Sequence, residues 1–266
     1  MENQLQQSYI KRFGISGSTI KIIAIISMAI DHVAAAILGR YLVLANTDSA
    51  TSGIGQYVPL QMNYEMLSQL YQIMRLTGRL GFPIFCFLLI EGFEHTRDVK
   101  KYATRLAIFA LISEVPFDLV FHGKMLEFSN QNVFFTLFIG LLTMCAFRFF
   151  ENALRIPVVI RLLGSLASLM LGMGAAYLLH TDYAETGVLC IIIIYVLRKH
   201  KVLQIVGGAL AFSWELTAPL AFIPIALYNG KRGINMKYFF YAFYPAHLLI
   251  IYLICLGLGI GPVSVM

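Results

Sequence analysis

Two side chains that can carry charge, Asp31 and His32, stand together in the apolar run SMAIDHVAAAI at residues 27–37. From Ile20 to Ala45 only this pair, Lys21 and Arg40 can be charged. A carboxylate and an imidazole in hydrocarbon are costly unless partnered, and they mark function by default. A second histidine, His247, lies in FFYAFYPAHLLIIYL, with Tyr244 one turn earlier on the same face and Pro245 placed to kink the helix. At about 1.5 Å per residue, His32 and His247 each lie roughly 15 Å from the nearest flanking lysine, which puts both near a bilayer midplane. Glu114 and Asp118 occur in LISEVPFDLV at i and i+4 and so share a helix face, with Pro116 between them expected to distort the helix. Arg79 and Glu91 mark the two ends of another apolar segment, and Asn132 and Thr136 share a face at the start of a further one. Imidazoles at depth suit proton transfer or nucleophilic catalysis, and carboxylates with an arginine suit a polar path across a membrane. Each residue also has a structural role open to it: a helix lock for Asp31–His32, a hydrogen-bonded core histidine for His247, a partly solvated helix end for Glu114 and Asp118, and snorkelling for Arg79.

The elements that position these residues are membrane helices. The chain has 266 residues, 59% hydrophobic and 13% charged, with a mean hydropathy of +0.75, far from the balance of a soluble domain. The apolar segments are helix-length and not alternating, which excludes an outer-membrane barrel. The expected fold is an all-α polytopic bundle forming a single domain over residues 1–266. About nine transmembrane segments are expected, near 20–44, 77–94, 101–121, 132–150, 158–179, 184–198, 202–214, 215–229 and 238–258. The seventh and eighth are short. Either they cross at a tilt or they form a re-entrant pair hinged at SWELTAP. With the N-terminus in the cytoplasm, 16 of the 20 Lys and Arg, Lys21 and Arg105 among them, fall on the inner side and only Arg40, Arg75, Arg79 and Lys124 on the outer, so the positive-inside bias orients the chain N-in, C-out. The first segment is too long for a signal peptide's apolar region and reads as a retained span. The longest connection, 45–76, ends in the amphipathic stretch NYEMLSQLYQIMRL, suited to the membrane surface or to capping a cavity.

The net charge of +6 is spread over short loops, so no nucleic-acid partner is implied. The four cysteines, Cys86, Cys145, Cys190 and Cys255, fall in apolar segments and form neither a disulfide framework nor a metal site. There is no Walker A, GxGxxG, HExxH or GxSxG pattern, which argues against an ATP-driven pump in this chain.

Several stretches together are distinctive: IKIIAIISMAIDHV, GRLGFPIFCFLLIEGFEHTRDVKKYATRL, ISEVPFDLVF, NVFFTLFIGLL, LYNGKRG and YFFYAFYPAHLLIIYL. In this order, over nearly the whole chain, they resemble the TraX family, named for the F-pilin acetylation protein. The 155–215 region carries little of the signature. The resemblance implies a polytopic acetyltransferase of the bacterial cytoplasmic (inner) membrane, acting on the N-terminal amine of pilin subunits with acetyl-CoA as donor. The family is similar to broader transmembrane acyltransferases, in which His32, FCFLLIEGF and YPAH have counterparts. On that basis His32 is the expected base or transient acyl carrier, with His247 as a second catalytic candidate. Asp31, adjacent in sequence and so about 100° away around a helix, is included with them, its partner sought in an arginine or tyrosine of another span. Lys231, Arg232 and Tyr244 are the expected donor-binding residues, the two cations facing the phosphates of coenzyme A. Arg79, Glu114, Asp118 and Asn132 are assigned to an amine or hydroxyl acceptor, a protein or a small molecule, arriving from the membrane or the outer face. No metal is expected. The rival readings are a proton-coupled transporter or flippase using the same buried charges, and a structural or assembly subunit of a secretion or conjugation system.

Overall fold

The computed structural model describes residues 14–47, 64–235 and 237–260, and these are helical throughout, with two isolated β-bridges and no strand. The helices are α1 (Gly17–Val33), which runs through a π-helical segment (Ala34–Leu38) into α2 (Gly39–Thr47), then α3 (Tyr64–Gly78), α4 (Gly81–His95), α5 (Val99–Phe121), α6 (Val133–Asn152), α7 (Val158–Leu178), α8 (Ala184–Val196), α9 (Lys201–Ala211), α10 (Phe222–Ala226) and α11 (Lys237–Gly257). The N-terminal polar stretch and most of the 45–63 connection lie outside the described residues.

Among the described residues, five helices are long and apolar enough to cross a membrane: Gly17–Leu44, Tyr64–His95, Val133–Asn152, Val158–Leu178 and Tyr238–Gly257. α5 has 23 residues, but Lys100, Lys101, Arg105, Glu114 and Asp118 lie along it. The two short segments at 202–214 and 215–229 do not cross as continuous helices. α9 has 11 residues, roughly 17 Å at 1.5 Å each against an apolar thickness of about 30 Å. It is followed by a 3₁₀ turn (Ala218–Ala221) and five residues of α10. This is the interrupted arrangement hinged at SWELTAP.

The start of α1 explains the LYNGKRG loop. A helix begins with N–H groups that have no partner within it. Ser16 caps one, its Oγ accepting from the Thr19 N–H at 3.3 Å. The N–H groups of Gly17 and Ser18 donate to the Lys231 and Arg232 carbonyls at 2.8 and 3.0 Å. Gly233 has φ +73°, and a Cβ there would lie 2.1 Å from the Ser18 Oγ, so glycine alone fits. The loop that precedes α11 is thereby clamped to the first turn of α1.

The amphipathic stretch at 64–76 does not stand apart from the bundle. As α3 it packs along α1 and the π segment, then turns at Arg79 and Leu80 into α4. Ser27 Oγ donates to the Thr77 carbonyl at 2.5 Å, and Gly78 makes room for the Asp31 side chain. The main core cluster draws on α1, the π segment, α4, α5, α6, α8, residues 212–225 and α11, including Ile84, Phe93, Phe117, Leu141, Ile191 and Phe222, and a smaller cluster of Ile139, Ala176 and Val188 joins α6, α7 and α8. α7 is peripheral and packs on α6 and α8, with Leu162, Leu166, Met170 and Leu171 exposed. α5 and α11 continue through Pro116 and Pro245.

Arg40, assigned from the sequence to the outer side, is 1% exposed. Its guanidinium donates to the Val120 carbonyl at the end of α5 and to the Ile260 carbonyl beyond α11, the latter at 3.3 Å. Two helix C-termini, the negative ends of their dipoles, converge on one cation. Replacing Arg40 with Leu strips two buried carbonyls of their donor and is expected to lower stability by about 2–5 kcal/mol, read as a loss of thermal stability in detergent with Arg40→Lys intermediate.

Candidate active site at a histidine pair

His32 Nδ1 lies 2.7 Å from His247 Nε2. The rings are nearly coplanar, 10° apart with centroids at 5.0 Å, as an in-plane N–H···N bond requires. His247 Nδ1 is 2.8 Å from the Phe243 carbonyl. A carbonyl only accepts, so Nδ1 of His247 carries the hydrogen and its Nε2 is an acceptor. His32 therefore donates from Nδ1, and its Nε2 is left with a lone pair. The chain His32 → His247 → Phe243 carbonyl fixes both tautomers and leaves one basic nitrogen, on His32. Phe121 and Tyr244 stand edge-on around His32 at 5.7 and 5.8 Å, and His247 is 7% exposed.

The π segment aligns this site with the Arg40 lock. In a plain α-helix, residues 32 and 40 would sit roughly 80° apart. A π turn absorbs about one extra residue, which brings the two within roughly 20°. Both then face α5 and α11.

Asp31 points elsewhere. Its Oδ2 accepts from Arg75 Nη1 at 2.7 Å, so its partner is an arginine of another helix. One turn on, Arg79 pairs with Glu215 at 3.1 Å. Asp182 and Tyr183, between α7 and α8, face the same group. Asp31 is thus the inner edge of a charge cluster and not a dyad partner of His32. The sequence reading missed Arg75 and Glu215. The i, i+4 spacing of Arg75 and Arg79, which puts both on one face, was the available signal.

Of the residues assigned to the acceptor, Glu114, Asp118 and Asn132 group together and Arg79 stands apart. Arg79 belongs to the Asp31 cluster. Glu114 accepts from the Asn132 N–H at 3.3 Å and from its side-chain amide. Asn132 also donates to the Ala110 carbonyl at 2.9 Å and caps α6 by accepting from the Phe134 N–H at 3.0 Å. Asp118 accepts from the Glu127 N–H at 2.8 Å and faces His122 at 3.3 Å. These three residues tie α5, the 122–132 connection and the start of α6 to one another. Glu114 still reaches the site indirectly, because it lies within electrostatic range of Tyr244, whose hydroxyl receives the first N–H of α6, that of Val133.

A cavity of about 470 Å³ opens at the end of the bundle where α1 starts and α4 finishes. Lys21, Arg105 and Arg232 line it, with Glu91 and His95. Lys21 lies over the Phe240 ring, and Arg105 Nε has no hydrogen-bond partner among the described residues. Of the expected donor-binding residues, Arg232 lines the cavity. Lys231 lends its backbone to α1 and is not in the lining. Tyr244 sits beside His32, beyond the cavity wall. Lys21 and Arg105 had been counted only as inner-side charges. Among the described residues no group of His, Cys, Asp and Glu could hold a metal ion.

Fold and site together define an all-helical protein with apolar helices of membrane-crossing length around a hydrogen-bonded histidine pair. The model of the TraX protein family matches residues 16–255, and the chain belongs to that family. Among curated relatives, the probable fimbrial assembly protein FimC, serogroup H1, of Dichelobacter nodosus is 27% identical over 269 residues, covering 89% of this chain and 94% of its own. No solved structure matches.

Removing Arg75 alone would leave the Asp31 carboxylate without its cation. Arg75→Leu is expected to cost about 2–4 kcal/mol, and the double substitution Asp31→Asn/Arg75→Leu to recover most of it. Thermal unfolding of wild type, Arg75→Leu, Asp31→Asn and the double variant in detergent measures the coupling. ¹⁵N shifts of the imidazoles check the tautomers: both histidines should be protonated at Nδ1, with His32 Nε2 bare.

Proposed function

We propose that the protein is a membrane-embedded acyltransferase whose reaction centre is the His32–His247 pair. The observation that carries this reading is the oriented chain from His32 through His247 to the Phe243 carbonyl, which leaves one basic nitrogen on His32, with the rings of Tyr244 and Phe134 between it and a cation-lined cavity. Acetyl-CoA fits as donor: Lys21, Arg105 and Arg232 supply the charges for its phosphates, and the apolar walls beyond them suit its thioester arm. The cavity opens at the end of the bundle that carries most of the basic residues, which the positive-inside bias assigns to the cytoplasm. The orientation is then N-in, C-out in the bacterial inner membrane.

In the transfer, the acceptor amine attacks the thioester carbonyl carbon while His32 Nε2 removes its proton. The C–N bond forms, the C–S bond breaks, and the proton passes to the departing thiolate. His247 and the Phe243 carbonyl hold the His32 imidazolium in place, as a base-orienting partner does. The Tyr244 hydroxyl, beside His32, is the donor for the developing oxyanion. Asp31, through Arg75, fixes the rotation of α1 and acts as a positioning residue. Similarity to the probable fimbrial assembly protein of Dichelobacter nodosus favours the N-terminus of a fimbrial or pilin subunit as acceptor.

Purified protein in nanodiscs is expected to release thiol from acetyl-CoA in the presence of an amine-bearing acceptor. His32→Ala should lower the rate by about 10²–10⁴-fold, and His247→Gln should lower kcat with little change in KM. A wild type that neither binds nor consumes acetyl-CoA, yet carries flux under a pH gradient, would replace this reading with a proton-coupled transporter. Reporter fusions after residues 97, 124, 155 and 200 test the orientation; a cytoplasmic signal is expected at all but 124.

A further inference from the structure

The cavity stops short of the histidines. Neither His32, His247 nor Tyr244 lines it, and Phe134 closes its deep end. On the far side Phe134 stands edge-on to Tyr244, with centroids at 5.0 Å and planes at 78°, and Tyr244 stands edge-on to His32 at 5.8 Å. Two rings therefore separate the cavity from the base. The backbone under Phe134 is pinned: its N–H donates to the Asn132 side chain, which Glu114 and the Ala110 carbonyl hold in turn. Its ring is stacked near Tyr241, 22° from parallel at 6.5 Å, and is 9% exposed. A group reaching from the cavity to His32 must pass between side chains that cannot yield by moving the helix.

Resting on the acyltransferase reading, we infer that Phe134 is the residue that sets the length of the acyl group transferred. A two-carbon acyl group passes the Phe134–Tyr244 contact by a small ring rotation. Each added methylene has to displace Phe134 into Leu137 and Tyr241, which share the cavity wall with it. Glu114 and Asn132, buried and assigned from the sequence to the acceptor, instead hold this selective ring in place.

The experiment is thiol release from acetyl-, butyryl- and hexanoyl-CoA by the full chain in nanodiscs, for wild type, Phe134→Ala and Phe134→Leu. Each methylene of mismatch in a tight pocket discriminates about 10-fold or more. Wild type should therefore prefer acetyl, Phe134→Ala should raise the hexanoyl-to-acetyl ratio by at least about tenfold, and Phe134→Leu should fall between. Carbethoxylation of His32 by diethyl pyrocarbonate, followed by mass spectrometry, reads the passage without turnover and should speed up in Phe134→Ala. Should Phe134→Ala be poorly folded, Phe134→Leu carries both readouts. An active wild type whose chain-length profile is unchanged in both variants overturns the role of Phe134 and leaves the acyltransferase reading standing. A wild type inactive on every thioester overturns that reading and the role of Phe134 with it.

Discussion

Asp31 and His32 are consecutive on one helix, so they leave it about 100° apart, and neither can be buried without a partner of its own. That constraint organises the bundle. α1 must meet an arginine on one side and a hydrogen-bonding helix on the other. Arg75 on α3 meets the carboxylate, and His247 on α11 meets the imidazole. Nine residues beyond Asp31, Arg40 adds a third requirement, satisfied by the carbonyl ends of α5 and α11. Three polar groups on one helix thus tie it to three others, α3, α5 and α11.

The other polar residues sort into separate groups. Arg79 and Glu215 extend the Asp31 cluster. Glu114, Asn132 and Asp118 anchor the entry to α6. At the basic end of the bundle, Arg148, Arg198 and Lys199 share Glu94 and Glu151.

The LYNGKRG loop links the cavity to the histidine pair mechanically. It supplies carbonyls to the first turn of α1, places Arg232 in the cavity lining and leads directly into α11. Movement of this loop therefore bears on both helices that carry the histidines.

The all-helical, apolar character of the chain was legible in composition alone, because helix-length runs of hydrocarbon side chains leave no other way to satisfy the backbone. That His32 and His247 need buried partners was legible too, since polar groups at such depth are costly wherever they point. So was the separation of Asp31 from His32, which follows from helix geometry. Their partners were not. Arg75 looked like an outer surface charge, Arg40 like a topological exception, and Glu114, Asp118 and Asn132 like a substrate site. A sequence records how far along a helix a residue sits, but azimuth is shifted by events such as the π segment, which has no marker in AAAIL. Nor does spacing reveal which helices become neighbours. The short, broken course of residues 201–226 and the ring of Phe134 standing between cavity and histidines were decided by packing among helices distant in the chain, where contact depends on shape and not on order.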